Sequence, residues 1–521
     1  MELDLATRRP SSSVRSASTK ATLLPPETTR AAQVRVPPAR TGARKLIFIS
    51  ALEENTFLPR AQVTAEAPMA ESQQAARKPP WMRPTGLVKR SSAGIRHVVR
   101  PGSDFSMQII PRVRSQLGGT CTRGSATSRR YRTTAMASAS ASVVRAATVF
   151  SASGPVSPGE VLLEKGLITA VRPATGPATH EVLAPGFIDL QMNGIGPVDV
   201  ATAGGDDWDV LDGLLLAQGV TTWCPTLISA PRAEMEASLG RVTEAAVRPA
   251  RGRPAIAGAH LEGPFLAIAG AHRPAYLAGS VDGRWLGDLD PAPAVVTLAP
   301  ELRGAVAGIE QLVAGGVLVA LGHSACDLET GRRAADAGAR LVTHLGNAMG
   351  RFDQRAPGLL GAALSDDRLA VSLIADLVHI HPALVRIAFR SKGADRTVLV
   401  TDAVAVADSA TNDDADSDAG DLGRSAGHPP RMADGTLVGS VLRMDRAVAN
   451  TVNEAGVALA DAIAAASSTP ATLLGLLDRG EITPGRRADL VALGPDLAVE
   501  KVWIGGETAW PGRPGAGEGG R

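Results

Sequence analysis

With 521 residues, 44% of them apolar and 20% charged, and a formal net charge of +2, the chain has room for two or three domains and enough apolar sequence for a large core. The near-neutral balance leaves no electrostatic footprint for nucleic acid, and no apolar run approaches the roughly 20 residues of a membrane span. Three cysteines (Cys121, Cys224, Cys326) without a CxxC pair argue against a disulfide framework. A cytoplasmic protein with neither nucleic acid nor membrane as partner is therefore expected.

The charge is unevenly distributed. The first 135 residues carry 23 Lys/Arg against 8 Asp/Glu, whereas the rest carry 31 against 44. Residues 1–140 are rich in Ser, Arg, Pro and Ala and show no sustained period of 2 or 3.6, so no packed core is expected there. Such a segment reads as disordered or spurious. An Arg- and Ser-rich transit peptide is one reading, weakened by Glu53, Glu54, Glu66 and Glu71. The other is an artefactual extension ahead of a working start at Met136.

Patterning begins at Val143. Short strands are expected over 143–150, 159–165 and 167–172. Apolar runs then end near Asn193, Thr226, Glu262, Glu301, Ser324, Asn347, His379 and Asp402. Helix-like stretches at 206–218, 234–247, 305–314 and 328–337 lie between several of them. Eight strand–helix repeats point to an α/β fold, a (β/α)8 TIM-like barrel. The Asp-, Ser- and Gly-rich 408–432 reads as a polar insert. One long helix is expected over 444–466 and another from Ser468-Thr-Pro, followed by strands at 488–493 and 499–505. Strands on both flanks suggest a small β-sandwich built from both ends. The domains are thus 1–140, the extension; 141–182 and 485–511, the two parts of the small β domain; 183–436, the barrel; and 437–484, flanking helices.

The polar residues gather at strand carboxyl ends, where a barrel places its active site. Four ends stand out: His260-Leu-Glu262-Gly-Pro-Phe, Gly322-His323-Ser324, Thr343-His344-Leu-Gly-Asn347 and Thr401-Asp402-Ala403. One carboxylate and two imidazoles on separate strands can converge on one cation, a set that suits zinc and leaves a position for water. Asp402, over the same mouth, can take a proton from water and return it to a leaving amine. Each residue alone has a bland reading: a bonded structural histidine, a turn carboxylate, a helix cap. The common end of consecutive units weighs against it, yet spacing alone does not decide.

A resemblance adds to this reading. Leu183-Ala-Pro-Gly-Phe-Ile-Asp-Leu-Gln191-Met-Asn193-Gly, the four strand ends above, Ala375-Asp376 with His379, and Leu437-Val-Gly-Ser440 resemble the N-acetylglucosamine-6-phosphate deacetylase family, collinearly over about residues 143–507. Pro484-Gly-Arg-Arg-Ala-Asp-Leu-Val491 is similar to a strand signature shared across the wider amidohydrolase superfamily. The resemblance implies Glu262, His323 and His344 as metal ligands and Asp402 as acid and base. It implies His272 as the group that helps hold substrate and polarise the amide carbonyl, although the loop from Glu262 is shorter than the family's. Asn347, Ala348 and His379 are implied as sugar-phosphate contacts, and Arg355 as an arginine reaching the phosphate across a homodimer interface.

Where many superfamily members carry His-x-His on the first strand, this chain has Gln191 and Asn193, amides that bind metal poorly; one divalent ion per subunit is expected. The implied reaction is deacetylation of N-acetylglucosamine 6-phosphate in amino-sugar catabolism. The galactosamine epimer is the close alternative. An inactive scaffold on the same fold would be betrayed by a lost ligand, and none of the four is lost. Cys326, without a basic activator nearby, reads as packing.

Overall fold

The computed structural model describes residues 141–249, 251–406 and 429–512. The reading of 1–140, and most of the 408–432 insert, fall outside the described residues. Eight parallel strands follow one another in order: β1 (Phe187–Met192), β2 (Val220–Ile228), β3 (His260–Glu262), β4 (Val295–Leu298), β5 (Leu318–Leu321), β6 (Leu341–Val342), β7 (Ala370–Leu373) and β8 (Thr397–Leu399). These are short apolar runs buried on both faces, as a sheet covered by helices requires; all six residues of β1 are buried. Backbone bonds just past β1 and β8 close the ring: Asp402 N–H donates to the Gln191 carbonyl (2.8 Å), and Asn193 N–H to that of Ala403 (2.8 Å).

Helices cover the outside. The Ala305–Ala314 helix buries Ala305, Gly308, Ile309 and Leu312, an i, i+3, i+4, i+7 stripe facing the barrel. The Leu328–Asp336 helix starts where the Asp327 carboxylate accepts from Thr330 N–H (2.8 Å). The single helix expected over 444–466 is two, Met444–Asn453 and Leu459–Ala466. The break falls at Gly456, whose φ of +64° an α-helix cannot accommodate. No helix among the described residues is long and apolar enough to cross a membrane.

Both flanks supply the small β domain. Strands Ser142–Ser151, Gly159–Glu164, Leu167–Pro173 and His180–Pro185 join Leu490–Leu493, Val499–Ile504 and Glu507–Trp510, with Gly154–Val156 at the side, in one eight-stranded sheet. Strand alternation divides its faces. Leu183, Leu490 and Ala492 enter a core shared with Val144, Val161 and Ile168, whereas Val182, Ala184, Val491 and Leu493 join the barrel core. The strand leading to the barrel runs to Pro185, three residues beyond the expected limit of 182, because its pairing with Leu490–Leu493 continues to that point. In this sheet the buried Glu160 carboxylate accepts from Thr175 N–H (3.1 Å), Arg172 Nε (2.8 Å) and Arg145 Nε (2.9 Å). Those bonds, the backbone one foremost, hold its carboxyl at about 2.

Candidate metal centre

The four strand ends meet in one cavity of about 510 Å3 that Glu262, His323, His344 and Asp402 all line. Only Glu262 lies within a strand. The chain turns sharply after β5, β6 and β8, and His323 (φ +50°), His344 (φ +31°) and Asp402 (φ +47°) occupy the left-handed region there. Non-glycine residues in that region are uncommon and cluster at functional sites. Ala348 (φ +47°) and Leu377 (φ +68°) on the loops after β6 and β7 share it.

His344 Nε2 is 2.9 Å from Glu262 Oε1 and 3.2 Å from His323 Nε2, and His323 Nε2 is 3.3 Å from Glu262 Oε1. Ligands about 2.0–2.1 Å from a tetrahedral zinc ion stand about 3.3 Å apart, so three protein donors already have a spacing that fits one cation. His323 Nδ1–H donates to the Ile268 carbonyl (2.9 Å), which leaves its Nε2 lone pair facing the cluster. His344 Nδ1 is buried with no hydrogen-bond partner. Burial pushes the Glu262 carboxyl up, but the imidazoles gathered around it hold it well below the ordinary range.

Glu262, His272 and His323 form a rival set, with one donor atom each within 4.8 Å of one another. The hydrogen bonds separate the two sets. Ser229 N–H donates to His272 Nδ1 (3.3 Å), and Ser229 Oγ stands 3.0 Å from the same nitrogen. Nδ1 is thus the acceptor, and the neutral ring carries its proton on Nε2. That nitrogen, 3.6 Å from Glu262 Oε2, is a donor facing the cavity and has no lone pair for a cation. Burial also lowers the pKa of His272, favouring this neutral form. The short loop after Glu262 therefore still delivers His272 to the site.

Gln191 and Asn193 brace the centre. Gln191 Nε2 donates to Glu262 Oε1 (3.0 Å) and Asp402 Oδ1 (3.2 Å), and its Oε1 accepts from Thr343 Oγ1 (2.7 Å). Asn193 Nδ2 donates to Asp402 Oδ1 (2.7 Å). Burial, and then the Glu262 charge, push the Asp402 carboxyl up to about 7. Beneath it, Thr401 Oγ1 donates to the buried Asp189 (2.6 Å), fixing the end of β8 against β1.

Asn347, Ala348 and His379 line the same cavity. Arg355 does not; it lies on the exposed 350–357 loop, and no described lysine or arginine lines the cavity. His260 lies outside as well: its Nδ1–H donates to the Leu190 carbonyl (2.9 Å) and its Nε2 accepts from Thr297 Oγ1 (2.8 Å), a tie between β1 and β4. Ser229 carried no sequence signal, and Thr343 and Asp189, although inside the sequence motifs, had no role assigned; all three matter through bonds to partners that folding brings near.

A buried carboxylate–imidazole cluster at the mouth of a (β/α)8 barrel, with a second carboxylate at its side, defines a metal-dependent hydrolase. The amidohydrolase family model matches residues 182–509. An N-acetylgalactosamine-6-phosphate deacetylase of Escherichia coli O157:H7 is 36% identical over 385 residues, 70% of this chain and 99% of that protein. The Bos taurus N-acetylglucosamine-6-phosphate deacetylase is 37% identical, covering 63% of this chain and 83% of the relative. A Mycobacterium smegmatis N-acetyl-D-glucosamine-6-phosphate deacetylase variant, solved in complex with N-acetyl-D-glucosamine-6-phosphate, superposes with a TM-score of 0.64 at 31% identity, covering 71% of this chain and 99% of that one. The chain belongs to the amidohydrolase family and, within it, to the N-acetylglucosamine-6-phosphate deacetylases.

Proposed function

We propose that the protein hydrolyses the N-acetyl group of N-acetylglucosamine 6-phosphate to glucosamine 6-phosphate and acetate, a step of amino-sugar catabolism in the cytoplasm. The observation that carries this reading is the meeting, in one cavity, of the Glu262–His323–His344 cluster, the Asp402 carboxylate and the Nε2–H of His272. Glu262, His323 and His344 hold one divalent ion, zinc by the chemistry of the donors. When bound, the ion supplies Lewis acidity, polarising the amide carbonyl and making water a competent nucleophile near neutral pH.

Asp402 accepts the proton of the attacking water at a carboxylate oxygen. It then returns that proton to the departing amide nitrogen. Gln191 and Asn193 fix its orientation. His272 Nε2–H donates to the carbonyl oxygen as negative charge develops on it. Asn347, Ala348 and His379 hold the sugar phosphate. With no described cation of this chain lining the cavity, Arg355 serves the neighbouring site in a homodimer.

The galactosamine epimer is a second reading, favoured by the 99% coverage of the E. coli relative. Steady-state hydrolysis of both 6-phosphates by zinc-loaded protein decides between them. A kcat/KM at least tenfold higher for the glucosamine epimer is expected; the reverse order would overturn the assignment.

A further inference from the structure

The loop after β7 contains a buried carboxylate–imidazole pair that stands apart from the metal cluster. Asp376 Oδ1 accepts the backbone N–H of Val378 (2.9 Å) and of His379 (2.7 Å), while its Oδ2 accepts Nδ1–H of His379 (2.7 Å). The two side chains are only 8% and 5% exposed. The turn they close carries Leu377 at φ +68°, and Asn450 Nδ2 grips it from the Met444–Asn453 helix by donating to the Ala375 carbonyl (2.9 Å). His379 lines the cavity and Asp376 does not. Asp376 therefore acts on anything in the cavity through His379, whose ring and backbone N–H it holds.

We infer that Asp376 is the positioning residue of the substrate-phosphate site, orienting His379 and supplying the buried counter-charge that lets its ring meet a phosphate monoester through Nε2–H. The inference rests on the phosphosugar reading above. A ring that gives Nδ1–H to Asp376 and Nε2–H to a phosphate oxygen carries one positive charge, so its bond to that oxygen is charge-assisted and the Asp376 carboxylate is its counter-ion. No lysine or arginine among the described residues lines the cavity, and the other three histidines that line it surround Glu262. His379 is thus the one histidine of the described cavity lining that is not turned to Glu262, and the one placed to meet an anion. Burial pushes the Asp376 carboxyl up, but the bonds from His379 and the turn bring it below its ordinary value, as an ionised partner requires.

Asp376→Asn tests this, because the amide oxygen still accepts the two backbone N–H groups while the charge is lost. Wild type, Asp376→Asn, His379→Asn and the double variant are compared on N-acetylglucosamine 6-phosphate and on N-acetylglucosamine. Asp376→Asn should raise KM for the phosphosugar about tenfold with kcat within about threefold, and change kcat/KM for the phosphate-free sugar less than about twofold. His379→Asn should do at least as much, and the double variant no more than His379→Asn alone. Equal losses on both sugars would reduce Asp376 to a structural residue, and additive effects would show that it does not act through His379; either overturns the inference. An unchanged KM for the phosphosugar in Asp376→Asn would sink the inference alone. Wild-type protein that did not prefer the phosphorylated sugar would remove the substrate reading and the inference with it.

Discussion

Replacing Asp402 by asparagine separates proton transfer from everything else the residue does. Oδ1 of Asp402 accepts from Asn193 Nδ2 and Gln191 Nε2, and an asparagine turned the same way keeps both bonds with its amide oxygen. The backbone bond from Asp402 N–H to the Gln191 carbonyl is untouched, so the closure between β1 and β8 persists. What the variant lacks is an oxygen able to take a proton from water. General acid–base steps are worth about 10²–10⁴-fold, so kcat should fall by that factor, about 2.7–5.5 kcal/mol on the barrier. Zinc content and KM should stay within a few-fold. The acid limb of wild-type activity belongs to the same group. Asp402 is inactive when protonated, and burial, with the charge of Glu262 adding to it, holds its carboxyl at about 7. A cation at Glu262 opposes that charge, so the limb in the zinc enzyme should fall below pH 7 and be lost in the variant. Stopped-flow or coupled acetate release on protein of known zinc content reads all of these. An Asp402→Asn protein within tenfold of wild-type kcat would refute the proton-acceptor role.

Elemental analysis should return one zinc per active chain, with chelation abolishing turnover and Glu262→Ala losing the metal; two ions per active chain would defeat the reading of Gln191 and Asn193 as braces. In the small β domain, Glu160 has its carboxyl at about 2 against about 4.5 in an unfolded chain. Because its folded value is depressed, its contribution to stability is full above about pH 4.5 and is lost as pH falls towards 2. Urea midpoints should thus decline across that window in wild type and stay flatter in Glu160→Gln; equal slopes would remove the role. Arg355→Ala should raise KM for the phosphosugar at least tenfold while sparing the phosphate-free sugar. Mixing it with Asp402→Asn chains should regenerate one intact site per hybrid dimer, and hybrids without recovered activity would refute a shared site.

Much of the centre was legible because metal chemistry demands few residue types and a barrel demands one place for them. Glu262, His323, His344 and Asp402 could be read at run ends before any coordinates. The run ends themselves were less accurate. They were expected near Ser324, Asn347, His379 and Asp402, whereas β5 to β8 stop at Leu321, Val342, Leu373 and Leu399. The difference is physical. The chain leaves the sheet early and turns through left-handed residues, and hydropathy does not register a change in φ. The expected helix over 444–466 erred for a related reason, since its apolar period crosses Gly456 unbroken while the backbone does not. Ser229, Thr343 and Asp376 could not be assigned from type or spacing. Ser229 gains meaning from His272, 43 positions along, and Thr343 from Gln191, 152 positions back. Gln191 could be read only by type, as an amide; its bridge between the Glu262 and Asp402 carboxylates exists only once β1 stands beside both.

The bonds that join the first strand of the barrel to the last also govern the order in which the enzyme comes into being. Asp189 and Thr401 meet across 212 positions of sequence. As the chain leaves the ribosome, Glu262, His323 and His344 emerge before the Thr401–Asp402 segment that must close against β1. A nascent or C-terminally truncated chain would therefore own the proposed metal-binding residues and still lack Asp402, the proposed proton acceptor. On the proposed mechanism hydrolysis needs the complete ring, so catalytic activity would double as a report that synthesis reached the far side of the barrel.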